Sequence, residues 1–409
     1  AASAVTNLIT TQNAAGNIIS NGNYAGCPYA HTGQYITYNF GSGNVPSGNG
    51  MPFGLITINF GTTPLTVPRN GSNVVVQPST ILKGDGHTTM NIVPPTVDAP
   101  CRFATNGNSS MEFTVSPAGF IVGTGSPFPA ANASNTVALS STKMGIGIPV
   151  QSQISLADAE GTWNSVEWNK LKVSSGNQPF TNGFSKFVVA APSGNQATGQ
   201  LFTCDGGTSC SNSATNLTIT KCATCNDQGG SAINNVFTVT DGSSLTLKVA
   251  LFKAPNKDLI GVLVGSSSTA DVISGVTLRT AAGTTLPPSG KVVNNPQWKL
   301  DYTNSTQSLT ETPQVYSVSN ITAATNSSPA SLLMTYTDTQ DSGKAQTVKM
   351  DYPRTGMVYR AATGNTNINQ PMVGIKGNGW AISGGTTLAS DYPNVTSGTG
   401  RFFSVNIKF

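Results

Sequence analysis

Apolar and polar residues alternate with a period of two along much of this chain. Residues 33–41 (GQYITYNFG) and 54–61 (GLITINFG) are alternating runs closed by glycine, the pattern of strands that keep one face in a core. Residues 109–123 read as two strands around Ser116-Pro117-Ala118-Gly119, and 234–252 as two more around Asp241-Gly242. ASLLMTYTDT, KAQTVKMDY, TGMVYRAAT and MVGIKGNGWAIS follow, each bounded by Gly, Pro, Asn or Asp. The i, i+3, i+4, i+7 spacing of an amphipathic helix is scarce. Only residues 155–171 (SLADAEGTWNSVEWNKL) read as a passable helix, and Gly161 interrupts it. Many short strands with regular turn signals predict an all-β chain with very little helix, built as two or three antiparallel β-sandwich or β-barrel domains.

The 409 residues are enough for two or three separate cores. Charge changes character at 143–153 (KMGIGIPVQSQ), which sets an N-terminal β domain over 1–150 and a C-terminal β region over 151–409. The Pro-Pro and glycines of 281–291 (AAGTTLPPSGK) offer a further division of that second region. No fixed-period repeat is visible.

Composition narrows the class. Only 9% of residues are charged, against roughly 25% in an average soluble protein; 38 Asn and 95 Ser plus Thr take up much of the difference. Abundant Val, Ile, Leu and Phe in alternating runs argue for a folded chain. The net charge of +4 comes without a Lys/Arg cluster, so the footprint of a nucleic-acid partner is missing. No stretch approaches the ~18 apolar residues of a membrane helix. The opening AASA is of the small-residue type found around a secretory cleavage site, and the reading is of an exported bacterial protein, secreted or at the cell surface. Residues 1–68 carry no Lys, Arg, Asp or Glu, and Arg69 is the first charge. A neutral segment of that length is expected to pack against something, because exposed strands are usually guarded by charge.

Six cysteines, Cys27, Cys101, Cys204, Cys210, Cys222 and Cys225, are an even count in a chain read as exported, which favours disulfides over metal or redox chemistry. Cys27 is expected to pair with Cys101 and to staple the first domain. The other four allow three connectivities. A zinc site formed by CDGGTSC (204–210) and CATC (222–225) is disfavoured by the five residues between the first pair.

Catalytic chemistry finds little to build on. The two histidines are His31 and His87. Asp85 lies two residues before His87, but no Gly-x-Ser-x-Gly elbow accompanies them. The densest acidic group is Asp158, Glu160 and Glu167 beside Trp163 and Trp168. This is the one region that offers carboxylates with aromatic platforms, as a glycan-binding or glycoside-hydrolysing cleft requires; its alternative role is a core anchored by the tryptophans. No phosphate loop, dinucleotide fingerprint or haem motif occurs, and no cofactor or metal is expected.

The final run, GRFFSVNIKF, carries alternation through Phe403, Val405, Ile407 and Phe409. It resembles the closing strand of an outer-membrane barrel, but most runs elsewhere fall short of the ~9–11 residues that span a membrane. It reads as the closing strand of its own domain, or as a strand donated to a neighbouring subunit. The other donor candidate is residues 4–12 (AVTNLITTQ), with Val5, Leu8 and Ile9. The functional expectation is a non-enzymatic structural or adhesive surface protein that self-associates, with glycans as a further partner class. A filament subunit assembling by strand pairing is its sharpest form. A secreted carbohydrate-binding protein or glycoside hydrolase using 158–168 is the alternative.

Overall fold

The computed structural model describes Cys27, Tyr29 and residues 33–41, 52–60, 65–69, 72–76, 79–83, 89–93, 101–105, 108–124, 143–172, 180–204, 209–226, 230–281, 283–284, 286–290, 292–303, 306–336, 344–360, 372–385 and 401–407. These residues form a nearly all-β protein whose strands close into three eight-stranded antiparallel barrels, one after another along the chain. The chain divides into two compact units, one holding the first barrel and the other holding the second and third.

The first barrel uses β1 (Gly33–Phe40), β2 (Gly54–Phe60), β5 (Ser79–Lys83), β6 (Thr89–Val93), β7 (Arg102–Thr105), β8 (Asn108–Val115), β9 (Ile121–Thr124) and β10 (Met144–Pro149). β1 closes it by pairing with both β2 and β10. Between β2 and β5 the chain makes a separate two-stranded ribbon, β3 (Leu65–Arg69) and β4 (Ser72–Val76). Cys27 and Cys101 are bonded and lie in a core with Tyr35, Ile56, Ile58, Phe113, Val115 and Ile121. Their separation of 74 residues gives this bond about 4 kcal/mol of stabilisation on the chain-entropy account.

The second barrel runs β11 (Gly161–Leu171), β12 (Phe180–Val189), β13 (Gln196–Cys204), β14 (Thr215–Lys221), β15 (Val236–Thr240), β16 (Thr246–Lys253), β17 (Leu259–Ser266) and β18 (Ala270–Arg279). Each strand pairs with the next, and β11 with β18. The segment expected to be helical is helical only at Leu156–Ala159, one 3-10 turn. Gly161, at φ 125°, then redirects the chain into β11. Alternation wins beyond that point: Trp163, Ser165, Glu167 and Asn169 fall on one face of β11, and Asn164, Val166 and Trp168 on the other.

Burial distinguishes the two faces. On β13, Ala197 and Gly199 are buried while Gln196, Thr198 and Gln200 are exposed. Odd-numbered positions therefore point into this barrel and even-numbered ones outward. A wall with polar residues outward faces water, the reverse of the apolar-outward wall of a spanning barrel. On β11, β12, β17 and β18 the outward positions are buried as well: Val166, Trp168, Phe184, Val262, Val276 and Leu278 are all at most 6% exposed.

The third barrel is β19 (Val292–Thr303), β20 (Thr306–Thr322), β21 (Ser331–Tyr336), β22 (Ala345–Met350), β23 (Met357–Arg360), β24 (Met372–Gly377), β25 (Trp380–Gly385) and β26 (Arg401–Ile407). Its interior holds Tyr316, Val318, Leu332, Val348, Met350 and Val358. Following the register laterally from Met350 through Val358, Gly374 and Ser383 reaches Ser404. Ser404 and Ser383 therefore face inward, with their hydroxyls 2.8 Å apart. Phe403, Val405 and Ile407 face outward and are nonetheless fully buried.

What buries the outward face is the second barrel. The Asn182 amide donates to the Phe402 carbonyl at 2.7 Å, and Arg401 donates to the Phe180 carbonyl at 2.9 Å. Trp168 stacks on Phe180, whose ring meets Tyr302 edge-on at 5.9 Å, and the Trp168 indole N–H donates to Gln307 at 2.9 Å. A Cβ on Gly384 would collide with Asn182. The two barrels share a wall.

The tail strand thus pairs with β19 on one edge and β25 on the other. It closes its own barrel and presents no free edge, which leaves nothing for a donated C-terminal strand to do. Phe409 and the other donor candidates Val5, Leu8 and Ile9 lie outside the described residues.

Truncating Phe403 should open a cavity in the shared wall. Phe403→Ala is expected to cost about 3–5 kcal/mol, read as a lower urea midpoint followed by tryptophan fluorescence. A loss below about 1 kcal/mol would mean that the wall is not packed as described.

Candidate functional site

The six cysteines are all oxidised. Cys27–Cys101 pairs as the sequence spacing suggested, and Cys204 bonds Cys210, which leaves Cys222 with Cys225. The 27–101 and 222–225 pairs are at most 2% exposed. Cys204 and Cys210 are only half-buried, at the end of β13.

The acidic-aromatic group of 158–168 does not assemble into a cleft. Trp163 and Trp168 are 4% and 0% exposed and point to opposite sides of β11, one into the barrel and one into the shared wall. The Trp163 indole donates to the Ala159 carbonyl at 2.8 Å. Asp158 caps the 3-10 turn through the Ser155 amide at 2.8 Å and pairs with Lys253 at 3.2 Å. Burial alone would raise its pKa, but the Ser155 amide, the Lys253 ammonium and the Ser155 hydroxyl together hold it below the ordinary carboxylate value. Glu160 is exposed. These side chains serve packing and capping, because alternation on a strand sends neighbouring residues to opposite faces. His31, Asp85 and His87 lie outside the described residues.

Glu167 has a different environment. It points into the second barrel directly across from Gly183 on β12 and Gly275 on β18. A Cβ on Gly183 would fall 2.4 Å from a Glu167 carboxylate oxygen, and one on Gly275 would fall 2.9 Å from Glu167 Cγ. The two glycines thus make the room that the carboxyl occupies. Asn169 donates to it at 3.0 Å. Burial pushes its pKa up, against the smaller opposing effect of hydrogen bonds from Ser185 and Asn169. Ser165, on the same inward face, is fully buried and its Oγ has no hydrogen-bond partner.

The inward face of the third barrel is also partly polar. Lys299 and Asp301 pair at 2.9 Å, with side chains 33% and 23% exposed. The Lys299 ammonium also sits 5.1 Å from the centre of the Phe402 ring. Arg360 donates to Gln346 at 2.8 Å on that same face. Register places Lys299 opposite Ser404 and Asp301 opposite Phe402. The group sets a cation, a carboxylate and a ring side by side within reach of solvent. The signal for it in the sequence is WKLDY, where two charges at i and i+2 of a strand share a face.

Among the described residues no cluster of three or more His, Cys, Asp or Glu could hold a metal ion, and no helix is long and apolar enough to cross a membrane. Compared with known proteins, the chain matches no family model, no curated protein and no solved structure.

The raised Glu167 pKa fixes a sign. A carboxyl that is harder to ionise when folded stabilises the fold below its ordinary value of 4.5, and that contribution is lost as pH rises above it. Glu167→Gln mimics the protonated acid, so its melting temperature should exceed that of the native protein increasingly as pH goes from about 4 to about 8. Thermal melts across that range check this; a difference independent of pH would show that Glu167 ionises freely in the fold.

Proposed function

We propose that this protein is an exported structural or adhesive protein of the cell surface, built to present stiff β-barrels and to associate with further copies of itself. The observation that carries the reading is the shared wall. Side-by-side burial of outer faces joins the second and third barrels into one body, whereas binding modules that act independently are joined by exposed linkers. Three disulfides in a charge-poor chain suit an oxidising, extracellular setting.

The mode of association is narrower than the tail alone implied. The barrel strands close on themselves, and closure removes edges. The ribbon β3–β4 is the exception among the described strands: it pairs with no other strand. Its register sets Leu65 opposite Val76 and Val67 opposite Val74, and Arg69 is its only charge. An isolated two-stranded ribbon is marginal in water and gains from a third strand. The donor is residues 4–12 of a second copy, uncharged and rich in strand-forming residues.

Replacing residues 65–76 with a short Gly/Ser turn is expected to leave barrel melting intact and to abolish assembly. Electron microscopy and light scattering of the native and altered proteins test this. A native protein that stays monomeric at every concentration would overturn the proposal, as would unchanged assembly without the ribbon.

A further inference from the structure

The half-buried disulfide Cys204–Cys210 has a cation against it. Arg354, from the turn between β22 and β23 of the third barrel, reaches across the shared wall to the end of β13. Its Nη1 lies 3.2 Å from Cys210 Sγ and its Nη2 3.8 Å from Cys204 Sγ. The guanidinium is aimed by a third contact, Nε to the Asn164 side-chain oxygen at 2.6 Å. A neutral disulfide sulfur is a weak acceptor and needs no such partner. A thiolate does.

We propose that Cys204–Cys210 is a thiol-exchange site, at which a low-molecular-weight thiolate attacks Cys204 and expels the Cys210 thiolate onto Arg354. The step balances: the incoming sulfur forms a bond to Cys204 Sγ, the Cys204–Cys210 bond breaks, and its electron pair leaves on Cys210. The product is a mixed disulfide on Cys204, which a second thiolate can resolve to free Cys204. Exchange speeds up as the leaving thiol becomes more acidic and as access improves. Both conditions single out this pair. The closer guanidinium nitrogen faces Cys210, so Cys210 is the better leaving group. The other two disulfides, at most 2% exposed, are closed to an attacking thiol. Cys204 and Cys210 are only six positions apart, so opening the bond leaves the pairing of β13 with β12 and β14 in place.

The full-length oxidised protein, treated with glutathione and then alkylated, is mapped by mass spectrometry of its peptides. Glutathione is expected on Cys204 and alkyl label on Cys210, with Cys27, Cys101, Cys222 and Cys225 unmodified while the protein remains folded. Arg354→Ala should slow the exchange by roughly three- to tenfold, and Arg354→Lys, which keeps the charge, by less. Adducts spread over all three pairs, glutathione on Cys210 in place of Cys204, or an unchanged rate in a folded Arg354→Ala protein would each overturn the proposal. The position of the adduct is read on the native chain, so the test stands even if the variant fails to fold.

Discussion

The outer walls of the second and third barrels are apolar where they meet, and neither wall is tolerable in water alone. Val166, Trp168, Phe184, Val276 and Leu278 on one side, and Leu300, Phe403, Val405 and Ile382 on the other, are outward-facing residues with almost no exposure. Each contributes roughly 1.5–3 kcal/mol by leaving water. Polar groups then fix the register of the wall. Asn182 satisfies a β26 carbonyl, Arg401 a β12 carbonyl, and Arg354 the Asn164 side chain, so that buried backbone at the contact keeps its partners. The closed tail strand, the covered tryptophans and the placement of Arg354 beside a disulfide all follow from that contact.

Whether polarity changes from one face of a strand to the other explains which parts of the fold were legible in the sequence. Strands whose two faces differ in polarity alternate visibly, as GLITINF does in β2 and FFSVNI in β26, and their existence was readable. β17, by contrast, is buried on both faces and apolar on both: it reads LIGVLVGS, buried at all but its last position, with no period to find. Alternation also says that two faces differ without saying which is inside. In FFSVNI the apolar face is the outer one and Ser404 is in the lumen, the opposite of what a lone barrel would need. The 155–171 segment misled for a related reason: apolar residues on both faces of β11 imitate the spacing of a helix.

The chemistry was less legible than the fold. Even cysteine count and compartment were enough for disulfides, but the pairing of Cys204 with Cys210 depends on strand ends meeting in space. Asp158, Glu160, Glu167, Trp163 and Trp168 are neighbours in sequence and are separated by the pleat, whereas Lys299, Asp301 and Phe402 are remote in sequence and adjacent through the β19–β26 pairing. Glu167 keeps its place because glycines stand on both flanking strands, a relation that only register can reveal.

Native-state hydrogen exchange of the full chain tests the shared wall most directly. If the second and third barrels are held together by it, amides of β11 and β12 and those of β24 to β26 should open together, with one free energy and one denaturant dependence. Opening of β24 to β26 at low denaturant, while β11 and β12 stay protected, would show two barrels that merely touch and would contradict the account.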